Sequence, residues 1–251
     1  MSADTMTLPR VSLPIDPMKP YTGCNVLAAL MEWAQTLVGR LHEEANGTPT
    51  ALLGRLRGNR RDLHFSELVA KLEADHPVTM QSPFEGSDRV SGAVWVASDF
   101  ATGRRTDGSL AKLRWDAHAD DLPMHVHDFS DRCIIVHSGR GYFHVTDESE
   151  DAFTGTRVRT IPARERDVFL FTRGVVHTFS TADHAMTLLS CQLPYLAFDD
   201  PKQYRLPKVL WTARTHRDTY KAEIATDSTW ARLAMTNTSI PNPINLSHLV
   251  A

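Results

Sequence analysis

The first quarter of the chain repeats its apolar positions at helical spacing. From Asn25, a residue type that caps helices, apolar side chains recur every three or four positions up to Gly47, which predicts a long amphipathic helix. A second helix is predicted over 62–75 and a shorter one over 50–57. Residues 1–22 contain four prolines, a pattern that indicates an extended arm.

After Thr79 the pattern changes to short alternating runs separated by Gly, Asp and Ser, which is typical of antiparallel β structure. Nine strands are predicted, at 91–98, 109–116, 122–127, 132–137, 141–146, 156–161, 167–171, 175–181 and 185–192. Strands of this number and length fit a jelly-roll barrel. The predicted fold class is therefore mainly β, with an N-terminal α-helical extension.

The change of pattern places a boundary near residue 80. We expect residues 1–79 to form an arm and helices packed on the barrel, and residues 80–200 to form the barrel. Residues 201–251 are proline-punctuated at first and are expected to wrap the barrel, with a short helix near 227–235.

Composition limits the classes of partner. The chain has 251 residues, 42% of them hydrophobic, a formal net charge of −3 and a pI near 6.4, which argues against a nucleic-acid partner. The short arginine cluster at 55–61 is interpreted as a solvated face and not as a DNA-reading module. Three scattered cysteines without metal or redox spacing, and no signal peptide or membrane span, indicate a cytoplasmic protein.

Three histidines stand out by their spacing. Side chains two apart in a strand point to the same face, so His125 and His127 can project into one cavity. His177 follows fifty residues later in a second β-like run, just after Gly174. A closed sheet would bring the three imidazoles together, and we predict a metal site there.

These residues resemble the two motifs of the cupin superfamily. The first motif has His-x-His, four residues, a Glu and, seven positions later, a Gly; His125, His127 and Gly139 hold that spacing. Gly174 and His177 fit the end of the second motif. The resemblance covers about 100 residues and implies a cupin-type jelly-roll barrel. It also implies a homodimer, because cupin barrels commonly pair through an edge strand.

The chain departs from the motifs at three positions, with Arg132 for the Glu ligand, Arg166 for a Gly and Thr172 for a Pro. A guanidinium has no lone pair and cannot bind a cation. Three interpretations follow: Arg132 pairs with an anionic substrate, Asp131 serves as the alternative ligand through a bulge, or the site has lost its metal. We favour the first. The residues after Arg132 are apolar at both odd and even positions. The pattern therefore does not show whether the Arg132 side chain points into the barrel or away from it.

A site of three imidazoles with open positions suits Fe(II), and also Zn, Mn, Ni or Cu. Cupins that keep three histidines and lack the Glu include thiol dioxygenases, and the site is similar to theirs in this general way. That resemblance implies an Fe(II) dioxygenase acting on a small anionic molecule. Two alternatives stay open, a non-enzymatic ligand-binding or regulatory protein and a non-redox isomerase or lyase.

Overall fold

The structure is a computed structural model that describes residues 22–55, 65–85, 87–97 and 107–216. The predicted N-terminal arm, most of the arginine cluster and the helix predicted at 227–235 lie outside the described residues. In the described part of the chain, no helix combines the length and the apolar character that crossing a membrane requires.

The long N-terminal helix is confirmed as α1, Gly23–Ala45. Its N-cap is Thr22, whose hydroxyl accepts a hydrogen bond from the Asn25 backbone N–H at 3.3 Å, so Asn25 lies in the first turn. The helix ends at Asn46, which adopts the left-handed conformation with φ of 48°. The apolar stripe of α1 is buried against the sheet and against a second helix, α2 (Phe65–Asp75).

The helix predicted over 50–57 is wrong, because residues Ala51–Arg55 form strand β1. This strand pairs antiparallel with β6, Asp167–Phe171. Thr50 fixes the start of the pairing, since its N–H donates to Thr172 Oγ1 and its carbonyl accepts from the Thr172 N–H, both at 3.0 Å. A short apolar run is too short for its periodicity to distinguish a helix from a strand. Here the pairing with β6 makes residues 51–55 a strand.

The remaining strands are all antiparallel: β2 (Val90–Val96), β3 (Ser109–Trp115), β4 (Asp131–Thr146), β5 (Val158–Arg164), β7 (His177–Ser180) and β8 (Met186–Leu193). The sheet order is β1-β6-β4-β8-β3-β2, and β5 and β7 pair with the second half of β4. The mainly β fold with an N-terminal helical extension is confirmed.

Strand β4 joins two segments that the sequence predicts as separate strands. Its first half pairs with β6 and β8, and its second half with β5 and β7. The expected turn at Ser138-Gly139 is a register shift between Val136 and Ser138. Gly139 has φ of +77°, and a Cβ there would lie 2.1 Å from the Ala185 carbonyl oxygen. Glycine is therefore required where the strand passes from one set of partners to the other.

The segment predicted as a strand at 122–127 makes single β-bridges and no continuous ladder. Its bridges join Pro123 to Thr212, His125 to His177 and Val126 to Arg205. The described part of the C-terminal segment thus contacts the barrel beside the histidines.

Two apolar layers lie on either side of the sheet. Cys133 and Ile135 belong to the layer beneath α1, whereas Ile134 and Val136 belong to the barrel interior. Both faces of β4 are buried, which explains why its sequence does not alternate between apolar and polar residues. Arg132 shares the interior face with Ile134.

Candidate metal centre

The structure brings His125, His127 and His177 together. One ligand atom from each lies within 4.8 Å of the others, and all three side chains are buried. His125 and His177 face each other across a bridge in which each backbone N–H donates to the other's carbonyl at 2.9 Å. The spacing inferred from the sequence therefore corresponds to one cluster in the fold.

Each of the three imidazoles is held through its Nδ1 atom by a backbone carbonyl. His125 Nδ1 lies 3.0 Å from the Pro123 oxygen, His127 Nδ1 lies 2.5 Å from the Gln203 oxygen, and His177 Nδ1 lies 2.9 Å from the Val175 oxygen. A carbonyl only accepts, so we assign the ring proton to each Nδ1. This leaves the Nε2 lone pair free, which is the tautomer that binds a metal ion.

Burial keeps these rings neutral. It lowers the pKa of His125 to about 4 and holds the pKa values of His127 and His177 well below the ordinary value of a histidine. The positive charge of Arg132 lowers all three pKa values further. Because imidazole binds metal only when it is deprotonated, the site is ready to bind metal at neutral pH.

The Arg132 guanidinium is buried beside the histidines. It donates to Ser130 Oγ at 2.5 Å and to Gln203 Oε1 at 3.3 Å, and one of its nitrogens lies 3.1 Å from His127 Nδ1. Burial lowers the Arg132 pKa to about 9, although the Asp131 charge opposes that shift. None of the described carboxylates pairs directly with the guanidinium. A buried cation beside a cation site is costly unless an anion offsets it.

The Asp131 carboxylate lies elsewhere. It contacts His42 Nε2 of α1 at 2.8 Å and accepts from Arg173, from the backbone N–H at 2.8 Å and from the side chain at 3.3 Å. The ligand cluster found among the described residues comprises the three histidines alone. Asp131 would have to break these interactions to become a fourth ligand.

The cavity enclosed by the histidines has a volume of about 40 Å³, room for an ion and one or two water-sized groups. Trp115 and Gln192 also line it. The Trp115 Nε1–H is buried without an acceptor among the described residues. A bound oxygen ligand would satisfy this donor, since buried polar groups normally have partners.

Sequence reasoning missed Gln203, Gln192 and Trp115. The Gln203 carbonyl holds His127, and its side-chain oxygen accepts from Arg132 and, at 2.9 Å, from Gln192 Nε2. A backbone carbonyl has no sequence signature, so the first of these contacts could not be inferred. Trp115 lies in a predicted strand and carries an indole N–H, which only weakly indicates a role in the site.

Two of the three motif departures, Arg166 and Thr172, lie at the ends of strand β6. Arg166, at the position of a motif glycine, has φ of +75°, and Gly174 has φ of +85°. The Arg166 N–H donates to the Val136 carbonyl at 2.8 Å. Thr172, at the position of the motif proline, pairs with Thr50. Arg166 thus adopts a left-handed conformation that favours glycine.

No protein-family model matches the chain, and no curated protein matches it. Solved structures do match over about half of it. A 7S globulin of Momordica charantia is 16% identical over 50% of this chain and 34% of its own, with a TM-score of 0.37. A Bacillus subtilis oxalate decarboxylase, described with Mn(II) centres, is 15% identical over 47% and 29%, with a TM-score of 0.35.

A third match is an oxalate oxidase in complex with glycolate, 11% identical over 45% of this chain and 56% of its own, with a TM-score of 0.35. The matched part thus spans about a third of the globulin and decarboxylase chains and just over half of the oxidase chain.

Proposed function

We propose that the chain is a mononuclear metal-dependent enzyme, an Fe(II) dioxygenase acting on a small anionic substrate. His125, His127 and His177 hold the metal, and Arg132 binds the anion. The observation that supports this most strongly is the combination of three neutral imidazoles, each anchored through Nδ1, with a buried guanidinium that lacks a carboxylate partner.

Each side chain of the site has a separate task in this proposal. Arg132 orients the substrate carboxylate as a bidentate fork, and Trp115 Nε1–H donates to an oxygen in the same cavity. Iron bound with open positions supplies dioxygen chemistry, whereas Zn, Mn or Ni in the same ligands supports Lewis-acid chemistry.

The test is a screen of small carboxylates with anaerobically purified protein loaded with one equivalent of Fe(II), followed by oxygen uptake. Arg132→Gln is expected to keep the metal and to raise the half-saturating substrate concentration about 10- to 100-fold, the loss typical of a charged hydrogen bond. Arg173→Gln is the matched control, because that arginine is half-exposed and bonds Asp131 outside the cavity.

The outcomes separate the alternatives. Substrate turnover without oxygen uptake would replace the dioxygenase by a non-redox isomerase or lyase. Carboxylate binding to a protein that takes up no metal would replace it by a ligand-binding or regulatory protein. The homodimer and the cytoplasmic location stay predictions.

A further inference from the structure

The histidine cavity adjoins a much larger groove on the protein surface. The cavity measures about 40 Å³ and the groove about 1090 Å³. Pro83, Phe84 and Phe198 line both, so they form the partition between the two spaces. The inner space takes a carboxylate and little more, whereas the outer space has the size of a ligand site.

Side chains form much of this partition. The Phe84 ring lies 5.4 Å from the His125 ring and 5.6 Å from the Tyr204 ring, between centroids. Phe198 packs over Gly92, where an added Cβ would lie 3.0 Å from the phenylalanine ring. Side-chain rotations are far faster than backbone rearrangements, so a passage between the two rings requires no change of fold.

The groove differs chemically from the cavity, because its charged lining residues are acidic. Apolar and aromatic residues such as Val94, Tyr195 and Leu206 outnumber the polar residues along its wall, although polar and apolar atoms expose similar areas there. Its charged residues, among those described, are Glu85, Asp199 and Asp200, and no described lysine or arginine lines it. Such a surface favours a neutral apolar group and repels a second anion.

We infer that the groove binds the body of the substrate whose carboxylate Arg132 holds. The substrate class is a monocarboxylate with an apolar chain of several carbons, which passes between Phe84 and Phe198. Three observations support this inference: the wall that the two spaces share, the buried guanidinium at the inner end and the acidic residues at the outer end. It rests on the proposed anion-binding role of Arg132.

The test is calorimetric titration of the full-length protein, carrying one equivalent of Zn(II), with acetate, butanoate, hexanoate, octanoate and octanedioate. Affinity is expected to rise about fourfold for each methylene that enters the groove, the gain for burying one methylene group. Octanedioate, which places a second carboxylate among the three acidic residues, is expected to bind at least tenfold more weakly than octanoate.

The groove variant is Leu206→Asp, and its matched control is Leu210→Asp. Leu206 is 47% exposed and lines the groove, whereas Leu210 is 67% exposed and is not among the groove residues. Leu206→Asp is expected to weaken octanoate about tenfold or more and to leave acetate unchanged. Leu210→Asp should bind the whole series as the wild type does.

Two failures are distinguishable. Equal affinity for acetate and octanoate, or the same loss in both leucine variants, would overturn the groove inference and leave the anion site intact. If no carboxylate of the series binds, the anion-binding role of Arg132 fails together with the groove inference.

Discussion

Two groups of buried histidine differ in how many ring nitrogens the protein uses. His144 lies on β4 opposite Thr178, next to the position that faces His177. Its Nδ1 contacts Thr160 Oγ1 at 2.9 Å and its Nε2 contacts Ser180 Oγ at 2.7 Å. Among the residues that the structure describes, His125, His127 and His177 each find partners through Nδ1 alone. Burial is common to both groups, so a free ring nitrogen is what marks a candidate ligand.

The faces of β4 account for the difference. Phe143 and Val145 point into the barrel interior, where they pack with the aromatic residues around His177. His144 points to the opposite face, where its ring lies 5.1 Å from that of Trp211. That face offers hydroxyl groups to both nitrogens, whereas each ring of the cluster meets one backbone carbonyl, from Pro123, Gln203 or Val175. Burial lowers the His144 pKa to about 3, so this ring is neutral as well.

The largest effect is expected on metal affinity when a histidine of the cluster is replaced. His177→Ala is expected to weaken Zn(II) binding more than 100-fold, beyond the 10- to 100-fold typical of residues that only support a ligand. Metal affinity is measured by competition with a chromophoric chelator.

The matched variant is His144→Ala, for which the reverse pattern is expected. Metal affinity should stay within about twofold of the wild type. The free energy of unfolding should fall by about 3 kcal/mol, because two hydroxyls lose their partner and a cavity opens. Equal metal loss in both variants would contradict the distinction between the two groups.

The sequence alone allowed the histidine cluster to be predicted, because strand alternation and motif spacing specify its three members. It did not settle the direction of Arg132, because Cys133 and Ile135 face α1 while Ile134 faces the interior, and all three are apolar. The segment at 51–55 was predicted as helix because its strand partner, β6, lies more than 100 residues away. Every residue type has a backbone carbonyl, so contacts such as that of the Gln203 carbonyl cannot be predicted from the sequence.

Acid is expected to destabilise the fold through His144. The His144 pKa is about 3 in the folded protein and near 6.5 in the unfolded chain. Between these values the unfolded chain binds the extra proton, so the stability due to neutral His144 is complete above pH 6.5 and is lost as the pH falls. In metal-free protein, the advantage of wild type over His144→Gln should shrink by about 1.4 kcal/mol per pH unit below pH 6.

Urea unfolding of both proteins at pH 7, 6 and 5 measures this advantage. The other eleven histidines are present in both proteins, so their titration cancels in the difference. A difference that is constant over this range would mean that His144 keeps an ordinary pKa in the fold.

The smallest expected effect comes from one hydroxyl. Ser180→Ala leaves His144 Nε2 without its partner and should lower the free energy of unfolding by about 1 kcal/mol, with metal affinity unchanged. Ser91→Ala on β2, a half-buried serine, is the control and should change stability by less than about 0.5 kcal/mol. Metal loss in Ser180→Ala would show that the two groups of histidine are coupled.

The central claim is that three imidazoles bind one divalent ion through Nε2. X-ray absorption spectroscopy of the protein loaded with one equivalent of Zn(II) tests it directly. We expect three imidazole nitrogens at about 2.0–2.1 Å from the zinc, with oxygen ligands in the remaining positions of its coordination shell. A shell with fewer than three imidazoles, or one that contains sulfur, would contradict it.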